Sequence, residues 1–368
     1  MTTKSPLPKR GIIITFTILI TGIAVSLWIQ HMSKRAAVSP TLAFIEHNMT
    51  NPNGTLATYL KEAPSANPDY VAGHEALSES LGVWMQIALL NRDEQRFQQS
   101  YDLLRERYLS PQNYIKWKLQ PDGTSEVNTN ALGDDLRIVR ALLEGYDLWQ
   151  QTAYLAAAEA ITARLQQSSM LEGYFVDYHD FLHQQSADVL SLVYVDTLAL
   201  QAMERHGLID RSVLDRHLEL LQQLPAASQK IFYPQKYEVG VSKYTSDDKV
   251  NLIDQLIVAI HVAELGQSPQ ELIHFLKQEL KNRGKLFGQY DRSSRQPAVD
   301  YESPSVYGLA ILLALETRDQ AWAEELYPLM LAMRDHNPRY KGGYVFDGDT
   351  HLFDNLFPLL AEVSLKGH

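Results

Sequence analysis

From residue 77 onward one pattern recurs: a long apolar stretch, a short turn, a second stretch with one charged face, then a long aromatic-rich loop. The apolar stretches run over 77–90, 134–148, 187–204, 248–265, 304–316 and 351–364. Their starts lie roughly 47 to 61 residues apart, a weak internal period of paired helices. Residues 250–262 (VNLIDQLIVAIHV) and 306–315 (VYGLAILLAL) are apolar most of the way round, which marks buried helices. The second members, such as 94–108 and 212–223, keep a charged face and read as an outer layer. Five pairs are visible, and the sixth apolar helix lacks a partner unless residues 40–49 supply it. β signals are confined to short pieces such as 114–119 and 343–346. The pattern predicts an all-α ring of six inner and six outer helices, an (α/α)6 toroid, with its long loops at the end where the inner helices begin. An open helical solenoid is the alternative, and it would not need 40–49 to close a ring.

Composition narrows the function. The 368 residues are 45% hydrophobic and 21% charged, which excludes a disordered or collagen-like chain. With 44 acidic against 33 basic side chains, a nucleic-acid partner is not expected, since that needs a basic face against phosphate. The absence of cysteine excludes thiolate metal sites, disulfides and cysteine nucleophiles. Five of the basic residues (Lys4, Lys9, Arg10, Lys34, Arg35) precede residue 36 and no acidic one does, so the rest of the chain is more acidic than the formal −11. Between them lies an uncharged run, 11–29, roughly 19 residues and just long enough to cross a bilayer as a helix. The expected organisation is a cytoplasmic tail at 1–10, a transmembrane signal-anchor at 11–30, a linker at 31–39 and an extracytoplasmic domain at 40–368. A cleaved signal peptide is the other reading of the same run.

Carboxylates gather where the inner helices are predicted to start. They include Glu79 in LSESLGVWM, Asp134 and Asp135 in NALGDDL, and Asp248 and Asp254 in TSDDKVNLID; Asp300, Glu302, Asp347 and Asp349 complete the rim. One acid at a helix start caps free N–H groups and complements the dipole. Acids at most of the mouths, interleaved with Trp84, Tyr114, Trp117, Tyr174, Tyr178, Tyr244, Tyr290, Tyr301 and Tyr344, suit a sugar chain better. Sugar faces stack on aromatic rings, and glycoside hydrolysis needs an acid and a base across the bond. Glu75, one turn before Glu79, is an alternative acid, and His179 and His183 are spaced for a shared metal, although loop-edge histidines without one are commoner.

Three of the predicted inner helices carry a resemblance. Residues 78–85 (SESLGVWM) and the following IALLNRDEQRF resemble the SEG-x-x-Y-G-M helix and turn of glycoside hydrolase family 8. Residues 130–149 (NALGDDLRIVRALLEGYDLW) resemble its S-D-A-D-L-x-I-A-x-x-L-L-x-A-x-x-x-W, and 253–266 (IDQLIVAIHVAELG) its Y-D-A-x-R-x-P helix. The likeness is nearest to the divergent, membrane-anchored branch found beside exopolysaccharide-synthesis genes. It implies Glu79 as general acid, Asp254 as general base and Asp135 as a residue that positions the sugar. Trp84, Trp117, Tyr114, Asp134, Tyr178, Tyr244 and Tyr301 would bind substrate. Helix length agrees with this choice of base: Glu79, Asp135 and Asp254 each precede the end of their helix by about 10 to 12 residues, whereas Asp248, the runner-up, would sit about 9 Å higher at the helix rise per residue.

The sequence also departs from the family. The first Asp of D-A-D is Gly133, and the Arg and Pro of the base helix are Ile257 and Ala259. The Tyr of the acid helix is Gly82 or Val83, and residues 186–194 (SADVLSLVY) show no N-P-S-Y. The resemblance implies an inverting endo-hydrolase of a β-linked exopolysaccharide, monomeric, with no cofactor and no metal. Its partners would be the polymer, the membrane and an exopolysaccharide synthase complex. A non-catalytic polysaccharide-binding accessory protein of such a synthase is the rival reading. A lyase or sugar epimerase built on the same ring is a third.

Overall fold

The apolar-all-round stretches become the inner helices of a ring in the computed structural model, which describes residues 39–65, 67, 70–224 and 231–367. They are α2 (Ser78–Leu90), α4 (Leu132–Trp149), α6 (Thr197–Arg205), α8 (Leu252–Glu264), α10 (Pro304–Glu316) and α12 (Phe353–Gly367). The outer layer is α1 (Pro40–Asn48), α3 (Glu94–Leu103), α5 (Thr152–Ser168), α7 (Arg211–Gln222), α9 (Gln270–Arg283) and α11 (Gln320–Ala332). Each inner helix packs on its two neighbours, and α12 packs back on α2, so the ring closes and the solenoid is excluded.

The sixth outer position is filled by α1, as the pairing requires. Its Phe44 and Ile45 are buried, and Ser39 at its start donates to Glu362 Oε2 at 2.8 Å. Arg334 reaches the other oxygen of Glu362 at 3.0 Å. Met49, just past the end of α1, lies against Asn355 near the start of α12. The two helices therefore run antiparallel, and the chain joins the ring at the end where the inner helices finish. Gly308 brings α10 against α12: a Cβ there would lie 2.7 Å from the backbone of Phe357, next to Pro358, which has no N–H to offer.

The loops at the other end carry more β-structure than their sequence suggested. Val189–Ser191, Lys236–Glu238 and Lys243–Thr245 form a three-stranded antiparallel sheet, and the short ribbon Ala76–Leu77 with Lys118–Leu119 fixes the start of α2. The stretch 187–204 is consequently not one helix. Its β-branched first half pairs as a strand, and α6 begins only at Thr197, where Asp196 caps the Ala199 N–H at 2.9 Å. Residues 249–251 likewise pair with Gln289–Asp291 before α8 starts at the cap Asn251. Among the described residues no helix is long and apolar enough to cross a membrane. The tail, signal-anchor and linker expected at 1–38 lie outside the described residues.

Candidate active site

The first turns of α2, α4 and α8 hold the acids singled out from the sequence. Glu79 is the second residue of α2, Asp134 and Asp135 the third and fourth of α4, and Asp254 the third of α8. All four stand at the same level of the ring, where the inner helices begin.

Glu79 keeps 30% of its side chain exposed and meets Arg137 Nη1 at 3.4 Å. Burial raises its pKa, and Arg137 offsets only part of that rise. The guanidinium can lie there because residue 82 is glycine; a Cβ would sit 3.1 Å from the Arg137 chain. Asp134 is buried and accepts a 2.5 Å hydrogen bond from Ser78 Oγ. Its pKa is pushed up to about 7, by burial first and then by the charge of Glu79. Asp254 is held up at about 6, again by burial first, then by the charges of Glu79 and Asp247. It lines a cleft of about 320 Å³ with Val193, Asp247, Gln255, Gln289 and Arg292. Asp248 is exposed on the loop before α8 and is absent from this lining; its carbonyl accepts the Arg292 N–H at 2.8 Å.

Asp135 is wholly buried. It accepts from Asn130 Nδ2 at 2.6 Å, and Asn130 Oδ1 in turn accepts the His179 N–H at 2.7 Å. The other Asp135 oxygen, Oδ1, is buried with no hydrogen-bond partner among the described residues, and Asp134, its neighbour, stands beside Glu79. Glu75, the alternative acid, is buried in an ion pair with Lys118 at 3.3 Å. His179 and His183 bond separately, to Ser186 Oγ and to Asp180.

The aromatic residues divide. Trp117 is half-buried beside the acid, and its carbonyl accepts the Ser78 N–H at 3.0 Å. Tyr178 and Tyr301 are exposed on the loop end. Tyr114 is stacked on Phe181 at 3.8 Å, and the Tyr244 hydroxyl donates to the Leu220 carbonyl at 2.7 Å, so both brace loops. Trp84 faces the outer layer, buried beneath the Arg96 guanidinium at 4.9 Å and away from the mouth. Helical spacing explains this: five residues beyond Glu79 a side chain has turned to a different face.

Tyr194 and Arg137 were not singled out from the sequence. Tyr194 ends the 3-10 turn Leu192–Tyr194, and its ring occupies the space beside Gly133, where an added Cβ would come within 2.3 Å. Its hydroxyl feels the charges of Asp134 and Glu79. No local motif could have found it. Arg137 was within reach of a helical-wheel argument, since it lies one turn below Asp134 on α4.

No family model matches the chain. A curated relative, YdaJ of Bacillus subtilis (strain 168), a lipoprotein by name, is 36% identical over 331 residues, covering 89% of this chain and 87% of its own. Three solved structures share the fold. A novel alpha-amylase from Clostridium perfringens superposes with a TM-score of 0.79 at 23% identity, over 88% of this chain and 95% of its own. PssZ from Listeria monocytogenes gives 0.71 at 25% identity, over 89% and 96%. Endoglucanase Cel10, a family 8 glycosyl hydrolase from Klebsiella pneumoniae, gives 0.61 at 15% identity, over 89% and 99%.

Proposed function

The chain belongs to the family that contains YdaJ and carries the fold of glycoside hydrolase family 8, and from that premise we propose that it is an extracytoplasmic, inverting endo-hydrolase of a β-linked bacterial exopolysaccharide. Its main support is the set of three carboxylates, Glu79, Asp134 and Asp254, in the first turns of three inner helices, each made a weaker acid by burial and, for the two aspartates, by the charge of Glu79.

In this mechanism Glu79, protonated, gives its proton to the glycosidic oxygen as the C1–O bond breaks. Asp254, ionised, takes a proton from the water whose oxygen bonds to C1 on the opposite face. Glu79 is left as a carboxylate beside Arg137, Asp254 as a carboxylic acid, and solvent exchange restores both. Asp134 and the Tyr194 hydroxyl lie close to Glu79 and would contact the sugar. Trp117, Tyr178 and Tyr301 offer ring faces along the polymer.

An extracytoplasmic position is supported by the uncharged run 11–29 and by the lipoprotein name of YdaJ. This chain has no cysteine to accept a lipid, so the apolar run would do the anchoring. The polymer would come from a neighbouring synthase.

Gly133 and Ile257, which replace the family's Asp and Arg, favour the second reading, a binding protein without turnover. Reducing-end release from the host's exopolysaccharide separates the two, with α-linked and β-linked glucans run beside it. Wild type should release new ends, and Glu79→Gln should release them at least about 10²-fold more slowly. Binding by the wild type with no release from any polymer would establish the accessory role.

A further inference from the structure

A second cavity lies on the axis of the ring, under the acids and open at the opposite end. Its volume is about 950 Å³, within the roughly 300–1,000 Å³ range of small-molecule sites. Helical periodicity builds it. Below Asp134, α4 turns Arg137, Arg140, Glu144 and Leu148 toward the axis; below Asp254, α8 turns Ile257, Ile260, His261 and Glu264. Leu309 and Leu312 of α10 and Phe357 of α12 complete the walls. The mouth is formed where inner helices end, and Leu90 and Leu148 are exposed beside it. Arg137 belongs to both sites, because it lines this cavity and pairs with Glu79.

Charged and apolar side chains alternate along the lining, and the charges balance. Arg140 donates to Glu144 at 2.7 Å and lies 3.7 Å from Asp196; His261 Nδ1 is 3.0 Å from Glu264, which also accepts from Thr197. Burial opposes a charge on His261, yet Glu264 and Asp196 hold its proton more tightly than usual. Arg137, Arg140 and His261 therefore face Glu144, Asp196 and Glu264.

This lining discriminates among ligands. An acyl chain along this lining would bury its methylenes against these charged groups. An anion would meet as many acids as cations, and a cation the converse. A neutral molecule with many hydroxyls finds both donors and acceptors, and its C–H faces can pack on Ile257, Ile260, Leu309 and Leu312. We propose that the axial cavity is a binding site for a neutral polyol of mono- to disaccharide size, separate from the cleft and joined to it through Arg137. The site stands independently of the hydrolase reading, because its test reads binding and not turnover.

The test is a titration of the full chain, carrying ¹³C-methyl isoleucine, leucine and valine and the Asp254→Asn change that prevents hydrolysis, with cellobiose, maltose and, separately, octanoate. Methyls of Ile257, Ile260, Leu309 and Leu312 should shift with a disaccharide and stay still with octanoate. Ile260→Trp and Leu312→Trp project into the cavity and should each weaken that response at least tenfold, while the cleft methyl of Val193 continues to report sugar there. Axial methyls that ignore both sugars would overturn the proposal, as would a response to octanoate instead. An unchanged axial affinity in both tryptophan variants, with circular-dichroism melts like the parent's, would overturn it too.

Discussion

At the residue scale, the site is built from carboxylates that fold at a cost. Asp254 holds its proton up to about 6 against an ordinary 3.8, so at neutral pH it is ionised in a setting that disfavours the charge. The unfolded chain loses that proton first as pH rises, so the penalty appears between these values, persists above them and vanishes below about pH 4. Asp254→Asn should therefore raise stability at pH 8 by about 1–2 kcal/mol and leave it unchanged at pH 4, as read by thermal melts at both. The same ionisation sets the acid side of activity. Turnover should rise through about pH 6 as Asp254 becomes a base. An activity profile without an ascending limb near pH 6 would remove Asp254 from the role of base. Gly133 is equally specific: Gly133→Ala drives a methyl into the Tyr194 ring and should cost about 1–3 kcal/mol in denaturant unfolding. Restoring the family's aspartate there would meet the same obstacle.

At the element scale, what could be read from the sequence depended on how local its cause was. The inner helices α2, α4, α8, α10 and α12 were legible because helices apolar most of the way round have few places to go. The role of α1 followed from counting partners, and its burial of Phe44 and Ile45 bears that out. Phe44→Ala should lower stability by about 3–5 kcal/mol, measured by chemical denaturation, although Phe44 is 35 residues from the acid at Glu79. The short α6 was misjudged because strand pairing between 189–191 and 236–238 is non-local and overrides a helical pattern. Acid positions were legible for the same reason as the helices, since the first turn of each inner helix is fixed by where its apolar run begins. Trp84 was assigned to the sugar by residue type, and helical phase turned it outward instead. Tyr194 could not be found at all, because its contact with Gly133 joins two segments with no pattern of their own.

At the scale of the whole molecule, the ring has two distinct ends. Loops, exposed tyrosines and the weakened acids lie where the inner helices begin. Ser39, at the start of α1, stands at the other end, on the side where the axial cavity opens. The acidic excess of the chain beyond residue 35 favours a neutral or cationic polymer at the mouth that holds the acids. The most direct measurement is proton NMR of the sugar ends released in the first minutes of hydrolysis of the host exopolysaccharide, before the anomers equilibrate. A β-linked polymer cut by Glu79 and Asp254 should release α-anomeric reducing ends first, and Glu79→Gln should release none on that timescale. Nascent β-anomers, an unsaturated product, or undiminished release by Glu79→Gln would contradict the inverting acid–base pair.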